Sequence, residues 1–429
     1  MISLIEALNF RCLRYIRQPL GPFHILVGPN ASGKTTFLDV VAFLGQLVSD
    51  GIDAAINDRT EDVKDLIWGR SGERFELAIE AKIPKELRAQ LRESNFDTIR
   101  YEVAFGFEQN THEGLILAEK ALLKISRLPR KKKNQINDES FNKVGKLFPM
   151  PVDPPPTILT GRTTGVRTVV NKIERGDDHF YSEVYPEAGK GWMPVFKFGQ
   201  KKLSLVNLPG DETQYPVATW LKKLLSEGVQ QFVLNSIAMR KASQRSKVRK
   251  FMPDGSNLPW VINKLKENDL PRFKSWIAHL KTALPDIEDI KTIEREYDKY
   301  RYLVICYCGG LEVPSWLASD GTLRLLALTL PAYLTDFKGI YLVEEPENGI
   351  HPTAVETMFQ SLSSIYDAQI LLATHSPVIL GIAKPEEILC FAKTEEGATD
   401  IVLGNEHPAL RDWKRGIDLG TLFAAGVLG

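Results

Sequence analysis

Apolar positions gather in short dense runs near both ends of the chain and in looser periodic patterns between them. His24-Ile25-Leu26-Val27, ending on Gly28, predicts a buried strand, and Phe37–Leu44 after it has helical character. Lys338–Val343 and Ala368–Ala373 are two further β-branched or aliphatic runs of strand length. Between these ends, Arg74–Ile83 and Ile99–Glu108 alternate apolar with polar residues, which predicts half-exposed antiparallel strands. Gly114–Ser126 and Trp192–Val206 extend the same β-rich region. From Val217 to Pro285 the spacing turns helical, with i, i+3, i+4 apolar positions in Leu258–Leu265 and Phe273–Leu280. No a/d heptad is sustained over three or four repeats, so no long coiled-coil arm is expected.

Length and charge narrow the function. A chain of 429 residues suggests roughly three units at ~150 residues each. Lys and Arg number 54, as do Asp and Glu, which excludes a globally basic nucleic-acid coat but not a local patch. No apolar run approaches the ~20 residues of a membrane helix. Met1–Glu6 lacks the basic and apolar regions of a secretory signal, so a cytoplasmic protein is expected. Cys12, Cys306, Cys308 and Cys390 form no Cys-x-x-Cys pair and read as small buried hydrophobes. Cys306 and Cys308 would share one face of a strand.

The strand ending at Gly28 leads into Gly28-Pro29-Asn30-Ala31-Ser32-Gly33-Lys34-Thr35-Thr36, and a helix follows. Gly-x-x-x-x-Gly-Lys-Thr in that setting is a phosphate-binding loop. Its glycines let backbone N–H groups converge on phosphate oxygens, and the helix adds its positive end. Lys34 can reach the β- and γ-phosphates, and the Thr35 hydroxyl can ligate Mg²⁺. A partner carboxylate belongs at the end of another strand. Lys338–Val343 ends in Glu344-Glu345-Pro346-Glu347-Asn348-Gly349-Ile350-His351-Pro352. Paired acids there are costly to bury unless a metal ion and a water occupy them. Ala368–Ala373 ends in Thr374-His375-Ser376-Pro377, and Ser319-Asp320-Gly321-Thr322 opens an apolar helix upstream.

In order, these strings resemble the Walker A, signature, Walker B and His-switch elements of the ABC ATPases. The last three crowd between Ser319 and His375, far from Thr36. This split arrangement resembles the SMC, RecF and overcoming-lysogenisation-defect (OLD) branch of the ABC ATPases. Ile5–Arg11 looks like that branch's opening phrase. Ser319–Thr322 and Glu345–Pro352 look most like prokaryotic OLD-like ATPases labelled as AAA-family.

The resemblance implies an α/β fold: a split ABC-type P-loop head with an antiparallel β-subdomain and a helical lobe. Residues 1–210 would form the lobe with Walker A and the β-subdomain. Residues 211–290 would hold the Q-loop region and helical lobe, and 291–429 the signature, Walker B and His switch. It implies ATP and Mg²⁺ as ligands, with Gly28–Thr36 and Arg11 on the nucleotide. Thr35 and Glu344 would hold the metal, Glu344 being one methylene longer than the usual Asp. Glu345 would polarise the attacking water and His375 would sense the γ-phosphate. Ser319, Asp320, Gly321, Thr322 and Asn348 would meet nucleotide across a homodimer.

Phe232–Lys241 looks like the strand leading to the family's Q-loop. The Gln position there holds Arg240 or Lys241, with Gln244 just beyond, so either a cation replaces it or the alignment slips. An OLD nuclease carries a TOPRIM domain, for which the residues after His375 leave no room. A separate effector, such as a TOPRIM-like nuclease, is therefore expected, in an anti-phage or toxin–antitoxin-like system. The alternative is a RecF-like repair ATPase binding DNA through Arg240–Lys250, which holds six cations and no acid. Arg127–Lys133 is a second basic run and Pro149–Pro156 a Pro-rich one. The apolar tail Leu419–Gly429 could pack on its own core or dock a partner.

Overall fold

The apolar runs that precede the chemical motifs meet in one sheet, although they come from opposite ends of the chain. The computed structural model describes residues 1–126, 148, 153–161, 163–184, 194–209, 212–244, 251–408 and 419–424. Its first nine strands are β1 (Ile2–Phe10), β2 (Leu13–Pro19), β3 (Phe23–Val27), β4 (Arg74–Lys82), β5 (Thr98–Phe107), β6 (Gly114–Lys124), β7 (Val166–Lys172), β8 (Asp178–Phe180) and β9 (Val195–Phe196). There follow β10 (Val229–Phe232), β11 (Ile287–Glu294), β12 (Arg301–Tyr307), β13 (Glu312–Pro314), β14 (Gly339–Glu344), β15 (Ala368–Ala373), β16 (Ile388–Lys393) and β17 (Thr399–Leu403).

The central sheet runs β10-β14-β15-β3-β16-β17, and all neighbours are parallel except β16 and β17. β3 therefore sits between strands that follow it by more than 340 residues in the chain. Both faces are covered at the centre, so β3, β14, β15 and β16 read as nearly continuous apolar runs. Leu26, Leu342 and Leu371 enter one core with the helix Lys34–Asp50, and Ile25, Val343 and Leu372 enter the other. Parallel pairing puts the C-terminal ends of β3, β14 and β15 at one edge, where open α/β sheets bind ligands.

The second sheet, β2-β1-β4-β5-β6-β7-β8-β9, is antiparallel throughout. Phe75, Leu77, Tyr101 and Phe105 face the first core. The expectation of half-exposed strands is corrected here: β4 and β5 are buried along almost their whole length. The polar alternation is real, but its face is covered by Asp153–Thr160. Arg100 lies among Glu6 at 2.8 Å, Glu80 at 3.3 Å and Glu102. Glu76 accepts from Thr157 Oγ1 at 2.8 Å and from the Ile158 N–H at 2.7 Å. Buried charges are tolerable when paired in this way. In the Trp192–Val206 stretch, only Val195–Phe196 is strand among the described residues.

The helical stretch comprises Pro216–Gly228, Ser236–Arg240, Leu258–Asn268 and Leu270–Ala283, interrupted by β10. Helices of 11 and 14 residues then precede a small antiparallel sheet, β11-β12-β13, and the helix Asp320–Thr329. Trp276 joins these parts, its indole N–H donating to Thr329 Oγ1 at 2.9 Å.

Cys306 lies buried on β12, but β12 ends at Tyr307 and Cys308 opens an exposed turn with Gly309 and Gly310. The two thiols do not share a strand face, and Cys308 is no buried hydrophobe. Leu419 packs in the same core as Ile379 and Leu380, while 425–429 lie outside the described residues. So do Arg127–Lys133, Pro149–Val152 and Arg245–Lys250. Among the described residues, no helix is long and apolar enough to cross a membrane.

Glu183 ties the β-rich region to the helix Pro216–Gly228. Its carboxylate accepts from the N–H groups of Val217 at 2.7 Å and Ala218 at 2.9 Å. Burial outweighs these bonds and pushes its pKa up to about 7 from 4.5. The native chain thus holds this proton more tightly than the unfolded chain. The resulting stabilisation is full below about pH 4.5 and fades as pH rises through about 7. Unfolding free energy should fall by roughly 1–3 kcal/mol across that window on this account. Chemical denaturation at several pH values should show that slope flattened in Glu183→Gln; an unchanged slope would refute it.

Candidate nucleotide site

Gly28 and Gly33 bound the loop after β3, with φ of 149° and 103°. A Cβ on Gly28 would stand 2.2 Å from the Phe391 carbonyl oxygen, and one on Gly33 would stand 2.2 Å from Thr399 Oγ1. Glycine is required at both places by sterics as well as by φ. Thr399 Oγ1 also donates to the Ser32 carbonyl at 2.9 Å, so β17 braces the loop from behind. Lys34 opens the following helix and is buried, its Nζ donating to the carbonyls of Gly28 at 2.8 Å and Pro29 at 2.9 Å. Burial lowers its pKa, and the nearby Glu345 and Glu344 push it back up. The loop is thus a cradle with a buried cation at its base.

The acids arrive on β14. Glu344 Oε2 accepts from Thr35 Oγ1 at 2.6 Å, and Oε1 accepts from Gln231 Nε2 at 3.2 Å. Glu345 adopts φ 44°, a left-handed conformation rare for a non-glycine residue. Its N–H donates to the Ala373 carbonyl at 2.8 Å, which fixes the turn to the end of β15. Asn348 Nδ2 donates to Glu345 Oε2 at 2.5 Å, and His375 Nε2 lies 3.9 Å from Oε1. The structure gathers Arg11, Asn30, Lys34, Thr35, Glu345 and His375 around one cleft. Arg11 is directed by Asp39 at 3.1 Å, which Arg59 also holds at 2.6 Å.

Ser319, Asp320, Gly321 and Thr322 do not line this cleft. Ser319 caps its helix, accepting from the Thr322 N–H at 3.1 Å. Asp320 pairs with Arg240 at 2.5 Å, and Arg240 Nη2 donates to the Ala318 carbonyl at 3.0 Å.

Of the two alternatives left open for the Q-loop, these contacts favour the slipped alignment: Arg240 is engaged by Asp320 and Ala318, and the glutamine that reaches Glu344 is Gln231, inside β10. Strand β10 is also earlier than the expected Phe232–Lys241 strand, whose end is the helix Ser236–Arg240. Cys12, expected as a buried hydrophobe but only half-buried, and Lys393, unremarked in the sequence, also line the cleft. Glu347 was legible only as a turn acid, yet its Oε1 accepts from Thr374 Oγ1 at 2.7 Å and from the His375 N–H at 2.9 Å.

Residues 23–148 and 204–381 match the family described as "AAA domain, putative AbiEii toxin, Type IV TA system". The chain belongs to this family. A second likeness is short: 41 residues, 49% identical, to the OLD nuclease of Thermus scotoductus. It spans 10% of this chain and 8% of that protein.

Two solved SMC heads extend the likeness to the whole fold. An SMC head bound to the C-winged helix domain of ScpA matches at TM-score 0.52 and 12% identity, over 94% of this chain and 97% of that one. An SMC head with an extended coiled coil, bound to the C-terminal domain of ScpA derived from Pyrococcus furiosus, matches at 0.50 and 12%, over 94% and 95%. This AAA-domain protein accordingly has the fold of an SMC head, with its phosphate-binding loop at the end of β3.

Proposed function

We propose that the protein is an ATP-hydrolysing switch whose nucleotide state controls a separate effector. The observation that carries this reading is a cleft lined together by Lys34, Thr35, Glu345 and His375, to which Glu344 and Gln231 are joined through the Thr35–Glu344–Gln231 hydrogen bonds. Gly28–Thr36 and Arg11 would hold the nucleotide. The hydroxyl of Thr35 and the carboxylate of Glu344 are hard oxygen donors of the kind Mg²⁺ takes, and they already lie 2.6 Å apart. The fit is good, so these two residues would hold the ion. When bound, Mg²⁺ would neutralise charge on the phosphates.

The chain's own residues do the rest. Lys34 binds the phosphates, Glu345 orients a water and takes its proton, and His375 steadies the terminal phosphate. Phosphoryl transfer needs little more than such positioning and charge. Ser319–Thr322 and Asn348 of a second copy would complete each site, because in one chain the signature turn stands outside the cleft. ATP would then close the pair and hydrolysis would reopen it.

An anti-phage or toxin–antitoxin-like role is favoured by the family match. The RecF-like reading is less favoured, because Arg240, which opens the basic run, is committed to Asp320 and Ala318. Co-purification with the product of the adjacent gene should succeed in one nucleotide state and fail in the other. Failure in both ATP-loaded and nucleotide-free protein would remove the effector from the proposal.

A further inference from the structure

The turn that follows β14 touches three of the motifs at once. Asn348 holds Glu345, as described. The Gly349 carbonyl lies so close to Gly321 that a Cβ there would stand 2.5 Å from it, so the turn is packed against the start of the signature helix. Glu347 reaches the other way, to the end of β15. Its Oε1 takes both the Thr374 hydroxyl and the His375 N–H. Thr374 is itself fully buried, its N–H donates to the Leu26 carbonyl at 3.1 Å, and its hydroxyl oxygen accepts from the Ser376 N–H at 2.9 Å. One carboxylate thus anchors the backbone on which His375 is mounted.

From this geometry we infer that Glu347 is a positioning residue coupling the signature-side turn to His375. A shift of Gly349 against Gly321 moves Glu347, and the two hydrogen bonds carry the shift to residues 374–376. A carboxylate accepting from a backbone N–H and a hydroxyl forms charge-assisted bonds, so the link is stiff. A simple strand-end cap would need only one of those bonds and no reach from a neighbouring turn. The inference rests on the reading of His375 as the phosphate-sensing residue, but the link itself can be tested without nucleotide.

The test compares wild type, Glu347→Ala and Glu347→Gln as full chains. Without nucleotide, amide-resolved hydrogen exchange at His375 should speed up by about tenfold or more in Glu347→Ala, and less in Glu347→Gln, whose amide oxygen still accepts. With ATP, wild type should show changes at 345–350 and at 374–376 together, and Glu347→Ala should show only the first. Its kcat should fall by about tenfold with KM within about threefold, and Glu347→Gln should recover most of the loss.

Wild-type exchange at His375 in Glu347→Ala would overturn the link. So would a loss confined to unfolding temperature and KM, which a merely structural role predicts. If wild type neither binds nor hydrolyses ATP, the nucleotide reading fails, while the exchange measurement without nucleotide still decides the link.

Discussion

Lys34→Ala should abolish measurable ATP binding. The ammonium is buried at the base of the loop, and burial has already lowered its pKa. Its two hydrogen-bond acceptors are neutral carbonyls, Gly28 O and Pro29 O. The charge is therefore poised for an anion rather than consumed in an ion pair. Losing a buried cation from a polyphosphate site should cost roughly 3–5 kcal/mol, about a thousandfold in affinity. Titration calorimetry with ATP is the direct measurement.

The fold should survive the substitution. What remains after truncation is Thr399 bracing Ser32 and the packing of Phe37, Leu38 and Val41 in the core. A modest change in unfolding midpoint with a large loss of binding is the expected pair of results. Affinity within threefold of wild type would sink the site assignment.

The parts of the site that could be read from sequence share one property: each motif residue sits at the end of an apolar run. Gly28 follows β3, Glu344 ends β14 and His375 follows β15, so run and motif reinforce each other. What was misread depends on partners far along the chain. The alternation in β4 and β5 marks a polar face, but whether that face meets water is decided by Asp153–Thr160, some 50 to 80 residues away. Gln231 is the second of two adjacent glutamines inside β10, and nothing in the sequence singles it out. Only the parallel register of β10 with β14, which sets Gln231 opposite Leu342, turns its side chain toward Glu344. Cys308 follows an apolar run whose strand stops one residue earlier, at a pair of glycines with positive φ. Local pattern fixes where elements lie; pairing and cover decide which side chains meet.

Glu345→Gln should leave ATP binding close to wild type and nearly stop hydrolysis. The side chain is isosteric, so Asn348 and the Glu345 N–H bond to Ala373 can persist. The amide cannot take a proton from water. General-base removal costs about 10²–10⁴ in rate, so a loss of about a thousandfold is expected in single-turnover hydrolysis.

The backbone supports assigning that role to Glu345 rather than Glu344. Glu344 closes β14 with both oxygens engaged, by Thr35 and Gln231. Glu345 is held at φ 44°, a conformation costing about 1 kcal/mol that persists only where its surroundings over-determine it. That twist carries its carboxylate out of the strand and toward His375 and the cleft. With hydrolysis blocked and binding intact, ATP should hold two copies together, and sedimentation should detect a dimer that wild type forms only transiently. A Glu345→Gln protein that turns over ATP at the wild-type rate would place the base elsewhere, and Glu344→Gln would then be the variant expected to lose turnover.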